Sequence, residues 1–250
     1  MLPPTPPFLQ GVWHRRSIRR ALYAGGELGH ADSSVNVTYI QTPICFVDVR
    51  VAAGDGDGCM AFAGVTTALV PSDECPVTVR WHACLNLDPF VPDAAAAWQA
   101  ADHGTPRLSE DVGEFSQDAL NADGTVWIER DPAPTTLEEV WERVDDGDGR
   151  FLALRRGTAI LVVAGRYFGF ASDERSIHSP DGEHEYATGR VSLATGWTVE
   201  ARLGSSGSSG KDSLQLTLPG YAAEWVRMPG STLDWPSPED QLPPLTFSLH

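Results

Sequence analysis

Short stretches in which apolar and polar residues alternate recur along the whole chain, separated by Gly, Asp, Pro and Ser. Alternation with a period of two residues is typical of a β-strand with one buried face, and regular turns between such strands indicate antiparallel hairpins. The pattern predicts strands near 12–19, 35–41, 44–51, 61–69, 77–87, 112–118, 125–130, 138–144, 151–156, 159–164, 166–171, 186–193, 197–203, 213–218 and 222–228.

Helical periodicity is scarce, and one segment departs from the strand pattern. An alanine-rich run extends to Ala101 behind Asp93, a residue type that favours the N-cap of a helix. We therefore expect an all-β fold, with antiparallel strands in one or two up-and-down barrels. Helix should be confined to one short segment at 93–101 and at most one turn near the C-terminus.

The stretch 35–51 carries polar residues within two predicted strands that fold back across Thr42 and Pro43. Alternation gives each strand one face with several polar residues. These faces comprise Val35, Val37, Tyr39 and Gln41 on the first strand, and Phe46, Asp48 and Arg50 on the second. A carboxylate and a guanidinium then project side by side, so we expect this hairpin to form a wall of a pocket.

A faint internal repeat divides the chain into two halves, 1–108 and 109–250, which would form two small barrels or one enlarged barrel. Its offsets are 88, 93 and 91 residues. The matched segments are Tyr39-Ile40-Gln41 with Trp127-Ile128-Glu129, Arg50-Val51 with Arg143-Val144, and Asp55-Gly56-Asp57-Gly58 with Asp146-Gly147-Asp148-Gly149. Chance matches in a biased composition are the alternative.

The first predicted strand opens with Gly11 and Trp13, a G-x-W start that resembles the first strand of lipocalins and their calycin relatives. The resemblance implies that the tryptophan closes one end of an antiparallel barrel and that an arginine from a late strand packs over it. The candidates for that arginine are Arg190, Arg202 and Arg227, and the sequence does not choose among them. An ordinary strand with a glycine and a tryptophan would look the same.

The chain also resembles the double-barrel lipocalin-like proteins of unknown activity in fungi and bacteria, which share a W-L-Q and then a D-x-R pattern. Gln41, Asp48 and Arg50 match that pattern, whereas Tyr39 stands where it has tryptophan. The resemblance implies a fold and a pocket but no reaction.

Composition narrows the classes of partner. The formal net charge of −16 would repel a nucleic acid backbone. No apolar run approaches the length of a membrane-spanning helix, and the N-terminus lacks the pattern of a signal peptide. We therefore expect a cytoplasmic protein. Lys211 is the only lysine, a bias that suggests a high-GC bacterial genome.

Nothing in the sequence predicts a metal or a cofactor. Cysteines 45, 59, 75 and 84 lack C-x-x-C spacing and are interpreted as reduced thiols. The histidines and acidic residues of 178–185 surround a Pro-Asp-Gly turn, and the two Asp-Gly-Asp-Gly tracts lack the pattern of an EF-hand. Nucleotide-binding and hydrolase motifs are absent from the sequence.

Three residues are candidates for catalysis. Asp48 and Arg50 can form a charge-assisted pair that orients an oxygen of a ligand or takes part in proton transfer. His82 is the best candidate among the histidines, because imidazole titrates near neutrality. The alternatives are a surface ion pair and an ordinary hydrogen-bonded strand histidine.

Side chains that share a predicted face with these groups, or with their repeat partners, are candidates for substrate binding. They are Tyr39, Gln41, Phe46, Trp127, Glu129, Trp141 and Arg143. Two functions fit. One is a cofactor-independent isomerase, lyase or cyclase acting on a small, largely apolar molecule in bacterial specialised metabolism. The other is a carrier with the same cavity and no chemistry, and tryptophan walls suit either. The sequence does not indicate the oligomeric state.

Overall fold

The computed structural model describes residues 4–21, 26–52, 59–69, 77–87, 91, 93–104, 111–115, 123–131, 136–175, 178–179, 181–192, 196–204, 215–217, 225–233 and 246–248. The fold is mostly β, with antiparallel strands throughout and one α-helix among the described residues. The predicted all-β class is therefore confirmed, and the predicted helix is present as α1 (Ala94–Asp102). The Asp93 carboxylate caps α1 by accepting from the Ala96 amide at 2.9 Å, as its residue type indicates.

Eight strands form a closed barrel in which each strand pairs antiparallel with the next and the last returns to the first. They are β1 (Gly11–Arg20), β2 (Val35–Gln41), β3 (Cys45–Ala52), β4 (Met60–Leu69), β5 (Val77–Asn86), β6 (Asp111–Phe115), β7 (Val126–Arg130) and β8 (Leu137–Asp145). Closure leaves no edge strand, and it brings side chains from distant parts of the sequence into one interior.

Eight further strands follow the barrel: β9 (Phe151–Arg156), β10 (Ala159–Ala164), β11 (Tyr167–Asp173), β12 (His184–Ser192), β13 (Gly196–Gly204), β14 (Gln215–Thr217), β15 (Val226–Arg227) and β16 (Thr246–Ser248). Six of them form a second sheet with strand order β13-β12-β11-β10-β9-β15, and β14 pairs with β16. The barrel uses strands from both sides of residue 108, and the division into halves 1–108 and 109–250 stays a prediction.

The second sheet packs against the outer face of the barrel. Val47 and Val49, whose side chains point out of the barrel, share one buried apolar cluster with Ile160 and Val162 of β10. Gly169 permits this close approach, because a Cβ at that position would lie 2.7 Å from the Cβ of Val47. The outer face of β3 is consequently covered by the second sheet, and its inner face lines the barrel interior.

A buried ionic group joins the two sheets. Arg175 donates to both Asp173 carboxylate oxygens, at 2.9 and 2.6 Å. The same guanidinium donates to the Leu87 and Asn86 carbonyls at the end of β5, each at 3.0 Å. Tyr186 completes the group by donating to Asp173 at 2.9 Å. Because both charges are buried, losing one of them would leave the other without compensation.

One end of the barrel is closed by a 3₁₀ turn at Pro7–Leu9 and by a stack of two tryptophans. Trp13 lies parallel to Trp127, with ring centroids 4.2 Å apart. Arg143 belongs to the barrel strand β8, and its guanidinium lies 4.5 Å from the centroid of the Trp13 ring. The same guanidinium donates to the Phe8 carbonyl at 2.7 Å. The closing arginine is therefore Arg143.

The three arginines expected in that role lie elsewhere, so that expectation is wrong. Arg190 lies over Tyr167 and pairs with an acidic residue of β13, Arg202 pairs with an acidic residue of β12, and Arg227 donates to a loop carbonyl. All three belong to the second sheet. The sequence did not indicate that the barrel closes at β8, which is why a strand nearer the C-terminus was expected to supply the arginine.

The hairpins proposed as repeats, β2–β3 and β7–β8, share a pairing register. Tyr39 pairs with Asp48, and Trp127 pairs with Trp141. Trp127 follows Tyr39 by 88 residues and Trp141 follows Asp48 by 93 residues, which are two of the offsets found in the sequence. Both hairpins lie in the same barrel with the matched side chains on the inner face. A duplicated origin stays a prediction, because agreement in register is weaker than superposition of the whole unit.

No helix in the part of the chain that the structure describes is long and apolar enough to cross a membrane.

Candidate functional site

A cavity opens from the barrel interior towards solvent. Its walls come from β2, β3, β4, β5, β7 and β8 and comprise Tyr39, Asp48, Arg50, Phe62, Trp81, Trp127, Glu129, Glu139 and Trp141. The empty volume, including solvent at the mouth, is about 260 Å³. The space open to the centres of water-sized molecules is only about 10 Å³, which is roughly the room of one water. A larger ligand therefore requires a wall side chain to move.

Charged side chains form a chain of contacts along one wall. Arg50 donates to both oxygens of Asp48, with an Nη2 to Oδ2 distance of 3.0 Å and an Nε to Oδ1 distance of 3.1 Å. The other terminal nitrogen of Arg50 lies 4.0 Å from Glu139. Glu139 in turn accepts from Arg15 at 2.5 Å. Two guanidiniums and two carboxylates thus fix one another inside the barrel, as buried charges require.

Asp48 is the most deeply buried of these four charged groups, with its side chain 2% exposed. Burial raises the pKa of Asp48 above its ordinary value, although the neighbouring Arg50 acts to lower it. A carboxyl with a raised pKa is a better proton acceptor than an exposed aspartate once it is ionised. This group can take a proton from a ligand and return it.

Arg50 lies at the mouth, with its side chain 15% exposed. Its guanidinium also lies over the Phe62 ring, 5.0 Å from the ring centroid. It is the most exposed of the described side chains that line the cavity, and a guanidinium presents several donors in a fixed plane. Arg50 can therefore donate to a ligand oxygen while Asp48 holds the guanidinium in place.

Aromatic rings form much of the rest of the lining. Trp127 and Trp141 meet edge to face at 90°, with centroids 6.3 Å apart. Trp81 and Tyr39 do the same at 81° and 6.4 Å. The Trp141 indole donates to Glu129 at 3.0 Å, which places a carboxylate among the rings. Such walls favour flat or largely apolar ligands.

A hydrogen-bonded layer seals the cavity below these rings. The Tyr39 hydroxyl accepts from the Trp81 indole at 2.9 Å and donates to Gln41. Gln41 also accepts from Thr66 at 2.7 Å and donates to the Thr42 carbonyl at 2.6 Å. Burial raises the pKa of Tyr39 far above its ordinary value, so its hydroxyl stays protonated. Gln41 is a structural group of the floor.

The structure brings six of the ten predicted site residues together at the cavity. Asp48 and Arg50 are two of the three predicted catalytic residues; the other lining residues are Tyr39, Trp127, Glu129 and Trp141. Three others lie away from the cavity wall. Gln41 belongs to the floor, Phe46 packs against Tyr39 and Phe62 in the inner core, and Arg143 closes the far end.

His82, the tenth, lies on the outer face of the barrel. It pairs in register with Val65, which belongs to the apolar cluster between the barrel and the second sheet. Its Nε2 lies 2.8 Å from the Thr67 hydroxyl. The expected grouping of His82 with Asp48 and Arg50 is therefore wrong. Alternation along the strand places His82 and Trp81 on opposite faces, but it does not show which of the two faces turns inward.

Sequence reasoning did not select four residues of the site. Trp81, Phe62 and Glu139 line the cavity, and Arg15 supports Glu139. The alternation of β8 could have indicated Glu139, because it lies two residues before Trp141 on the same face. Phe62 and Arg15 gave no comparable signal, because their roles depend on which strands become neighbours.

The described residues contain no cluster of His, Cys, Asp and Glu that could hold a metal ion. Cys45, Cys59 and Cys84 are free thiols, and Cys75 lies outside the described residues. Burial raises the pKa of Cys45 to about 12 and also raises that of Cys84, so these two thiols are poor nucleophiles.

Comparisons of the chain with protein-family models, with curated proteins and with solved structures found no match.

Proposed function

We propose that the protein is a cofactor-independent enzyme that transfers a proton on a small, largely apolar molecule at the mouth of the barrel. The reaction class is that of an isomerase, lyase or cyclase. One observation carries the proposal: a buried carboxylate, Asp48, is held by a partly exposed guanidinium, Arg50, beside a cavity lined by aromatic rings. A base and a hydrogen-bond donor in one apolar site are the parts that acid–base catalysis on a carbonyl compound requires.

The roles of the two residues follow from their positions. Arg50 donates to a ligand oxygen, which is that of a carbonyl or hydroxyl group. A carboxylate ligand fits less well, because Asp48 and Glu139 already balance the charge of Arg50. Asp48 accepts a proton from the carbon next to that oxygen and returns it.

The relationship to lipocalins and other calycins is part of the same proposal. Its support is the closed antiparallel barrel and the placement of Arg143 over Trp13. We also propose a cytoplasmic location in a bacterium, without nucleic acid or membrane partners. The free thiols fit a reducing compartment, and the net charge of −16 opposes binding to polyanions.

A second candidate function is a carrier that binds the same class of molecule without changing it. The internal pairing favours it: Arg50 contacts two carboxylates and Arg15 contacts one of them, an arrangement that stabilises a rigid wall without needing a reaction. The two functions predict the same ligand contacts, and they differ in whether Asp48 exchanges a proton with the ligand.

An incubation in D₂O separates the two. Wild-type protein is mixed with a small-molecule extract of a high-GC bacterium, and mass spectrometry identifies compounds that gain deuterium or that are retained after gel filtration. An enzyme of the proposed kind labels at least one compound, whatever its identity, when the proton taken up by Asp48 exchanges with deuterium from solvent before it is returned to the ligand. A carrier retains a compound without labelling it.

Asp48→Asn is the decisive variant, since it keeps the size of the side chain and removes the base. Its matched control is Asp148→Asn, at an exposed carboxylate in the turn that precedes β9. Labelling should be lost in the first variant and kept in the second, with thermal unfolding confirming that both fold. If wild-type protein neither labels nor retains any compound, both functions are refuted. Labelling that persists in Asp48→Asn would refute the role of Asp48.

A further inference from the structure

Arg15 and Glu139 form an ion pair inside the barrel, next to the two groups of the proposed reaction. Their side chains are 5% and 4% exposed, and Arg15 Nη1 lies 2.5 Å from Glu139 Oε1. Arg15 belongs to β1 and Glu139 to β8, so neither comes from the strand that carries Asp48 and Arg50. A buried ion pair is costly to desolvate, and apolar residues often replace one without loss of stability. The position of this pair beside the cavity therefore indicates a role besides stability.

A shift in the pairing of β1 with β8 brings the two residues together. Arg15 pairs in register with Trp141, Ile18 pairs with Glu139, and the register shifts between Arg15 and Ser17. Directly opposed residues share a face of the sheet, so Arg15 and Ile18 both turn inwards although they are three residues apart. Such irregularities re-aim side chains, and they are frequent beside active sites. Here the shift seats an apolar side chain opposite Glu139 and a guanidinium diagonal to it.

The pair meets the candidate site at a single carboxylate oxygen. Glu139 Oε1 accepts from Arg15 and lies 4.0 Å from Arg50 Nη1. At 4.0 Å the attraction acts between charges and is too long for a hydrogen bond. The fork formed by Nε and Nη2 of Arg50 lies on Asp48, at 3.1 and 3.0 Å. Two carboxylates thus attract Arg50, and Asp48 is the one that is hydrogen-bonded to it.

Each group in this chain of charges restrains the next. Without Arg15, Glu139 would compete with Asp48 for the Arg50 fork. Without Glu139, Asp48 would face the undivided charge of Arg50, and a carboxylate that a neighbouring cation stabilises in its ionised form is a weaker base. The observed distances, 2.5 Å on one side of Glu139 and 4.0 Å on the other, keep Arg50 on Asp48 and divide its charge.

The charged and titratable groups around Asp48 come from several strands of the barrel. They are Arg15 of β1, Tyr39 of β2, Arg50 of β3, Glu129 of β7 and Glu139 of β8. Burial raises the pKa of Asp48, Arg50 lowers it, Glu139 raises it and Arg15 lowers it. The two members of the buried pair therefore act on Asp48 in opposite directions.

We infer that Glu139 and Arg15 are positioning residues of the proposed reaction: Arg15 fixes Glu139, and Glu139 shares the charge of Arg50, so that Asp48 stays available as the base. The inference rests on the proposed function and adds the groups that control its base. Of the two residues only Glu139 lines the cavity, and Arg15 acts through it.

Removing the two charges one at a time tests the inference in the full chain. The aspartate carboxyl carbons are labelled with ¹³C, the resonance of Asp48 is identified by its loss in Asp48→Asn, and its titration midpoint is measured by NMR. Glu139→Gln removes a like charge near Asp48 and should lower the midpoint. Arg15→Met removes an opposite charge and should raise it. Each shift should be on the order of one pH unit, the scale on which a neighbouring charge moves a carboxyl pKa.

Glu138→Gln is the matched control. Glu138 precedes Glu139 on β8, and it pairs with Arg19 and Arg130 on the outer face of the barrel. Its loss should leave the midpoint of Asp48 at the wild-type value. If a single variant does not fold because one buried charge is left alone, the double variant Arg15→Met with Glu139→Gln removes both charges. Its midpoint should lie below that of wild type, because Glu139 acts on Asp48 more strongly than Arg15 does.

The rate of deuterium labelling against pH supplies the catalytic readout. Its midpoint should move in the same direction as the NMR midpoint in each variant, which a pair that only stabilises the barrel would not cause. NMR midpoints that stay unchanged, or that move in one direction in both single variants, overturn the inference. So does a double variant that titrates at or above the wild-type midpoint.

These outcomes are distinct from a failure of the proposed function. If the NMR midpoints do not shift but Asp48→Asn abolishes labelling, the proposed function stands and the positioning roles of Glu139 and Arg15 are refuted. If the midpoints shift as expected but wild-type protein labels no compound, the proposed function fails, and the positioning roles fail with it.

Discussion

Replacing Arg143 with methionine should destabilise the protein by removing the guanidinium that packs over the closed end of the barrel. Methionine keeps an unbranched apolar stem and removes the guanidinium. The substitution deletes the 2.7 Å hydrogen bond to the Phe8 carbonyl and the contact over Trp13. It leaves the Trp13–Trp127 stack in place, so the loss is confined to one group.

The magnitude follows from these two contacts. A hydrogen bond from a charged donor contributes roughly 1.5–3 kcal/mol, and a partly desolvated cation–π contact contributes about 1 kcal/mol. The two are not additive, because one guanidinium makes both. Burial lowers the pKa of Arg143, which shows that its charge is held at some cost and reduces the net gain further. We expect a loss of about 2 kcal/mol, or roughly 4–8 °C in Tm for a chain of this length.

Thermal unfolding followed by far-UV circular dichroism and by tryptophan fluorescence measures the change. Arg143→Lys keeps a charge but lacks the planar fork, so its loss should be about half as large. Arg16→Met is the control, because Arg16 lies on the same barrel with its side chain 56% exposed in a surface pair. Equal Tm values for Arg143→Met and Arg16→Met would show that the clamp over Trp13 contributes nothing.

Three further predictions concern separate parts of the fold. Burial raises the pKa of Asp48, so its ionised form, which acts as the base, accumulates only as the pH rises beyond the usual range of about 4. The rate of deuterium labelling should therefore fall as the pH is lowered, with its midpoint above that range, and a midpoint at pH 4 or below would contradict the role of Asp48 as the base. Asp173→Asn leaves the buried Arg175 without its ion-pair partner and should cost about 3 kcal/mol in thermal unfolding, whereas a change under about 0.5 kcal/mol, the scale of a neutral surface substitution, would show that the group does not join the sheets. Gly64→Ala places a Cβ 2.0 Å from the His82 carbonyl at the bulge between β4 and β5, so the variant should yield little folded protein, and a wild-type Tm would show that the bulge relaxes freely.

Alternation along single strands predicted which side chains share a face. It placed Asp48 and Arg50 on one face of β3 and Tyr39 on one face of β2, and the barrel brings these faces to the cavity. The reason is local: a pleated strand fixes which residues share a side, whatever the rest of the fold does. The pairing of Asp48 with Arg50 follows from their spacing of two residues.

The remaining parts of the site depend on contacts between distant segments. Arg15 meets Glu139 because β1 pairs with β8, across 124 residues of sequence. His82 was assigned to the wrong environment because a period of two gives two faces and does not say which is inside. Arg143 was expected to bind substrate, but its place beside Trp13 follows from the closure of the barrel, which no local pattern encodes.

The double coverage of β3 has a consequence for how this protein can evolve. Val47 and Val49 are fixed by the second sheet, and Asp48 by the interior, so adjacent positions of this strand are constrained from opposite sides. β7 and β8 differ, because Ile128 and Glu142 on their outer faces reach solvent while Trp127 and Trp141 face the cavity. Substitutions on that hairpin meet fewer neighbours. New ligand specificities should therefore arise by changing the tryptophan wall, with β3 retained as the invariant part of the pocket.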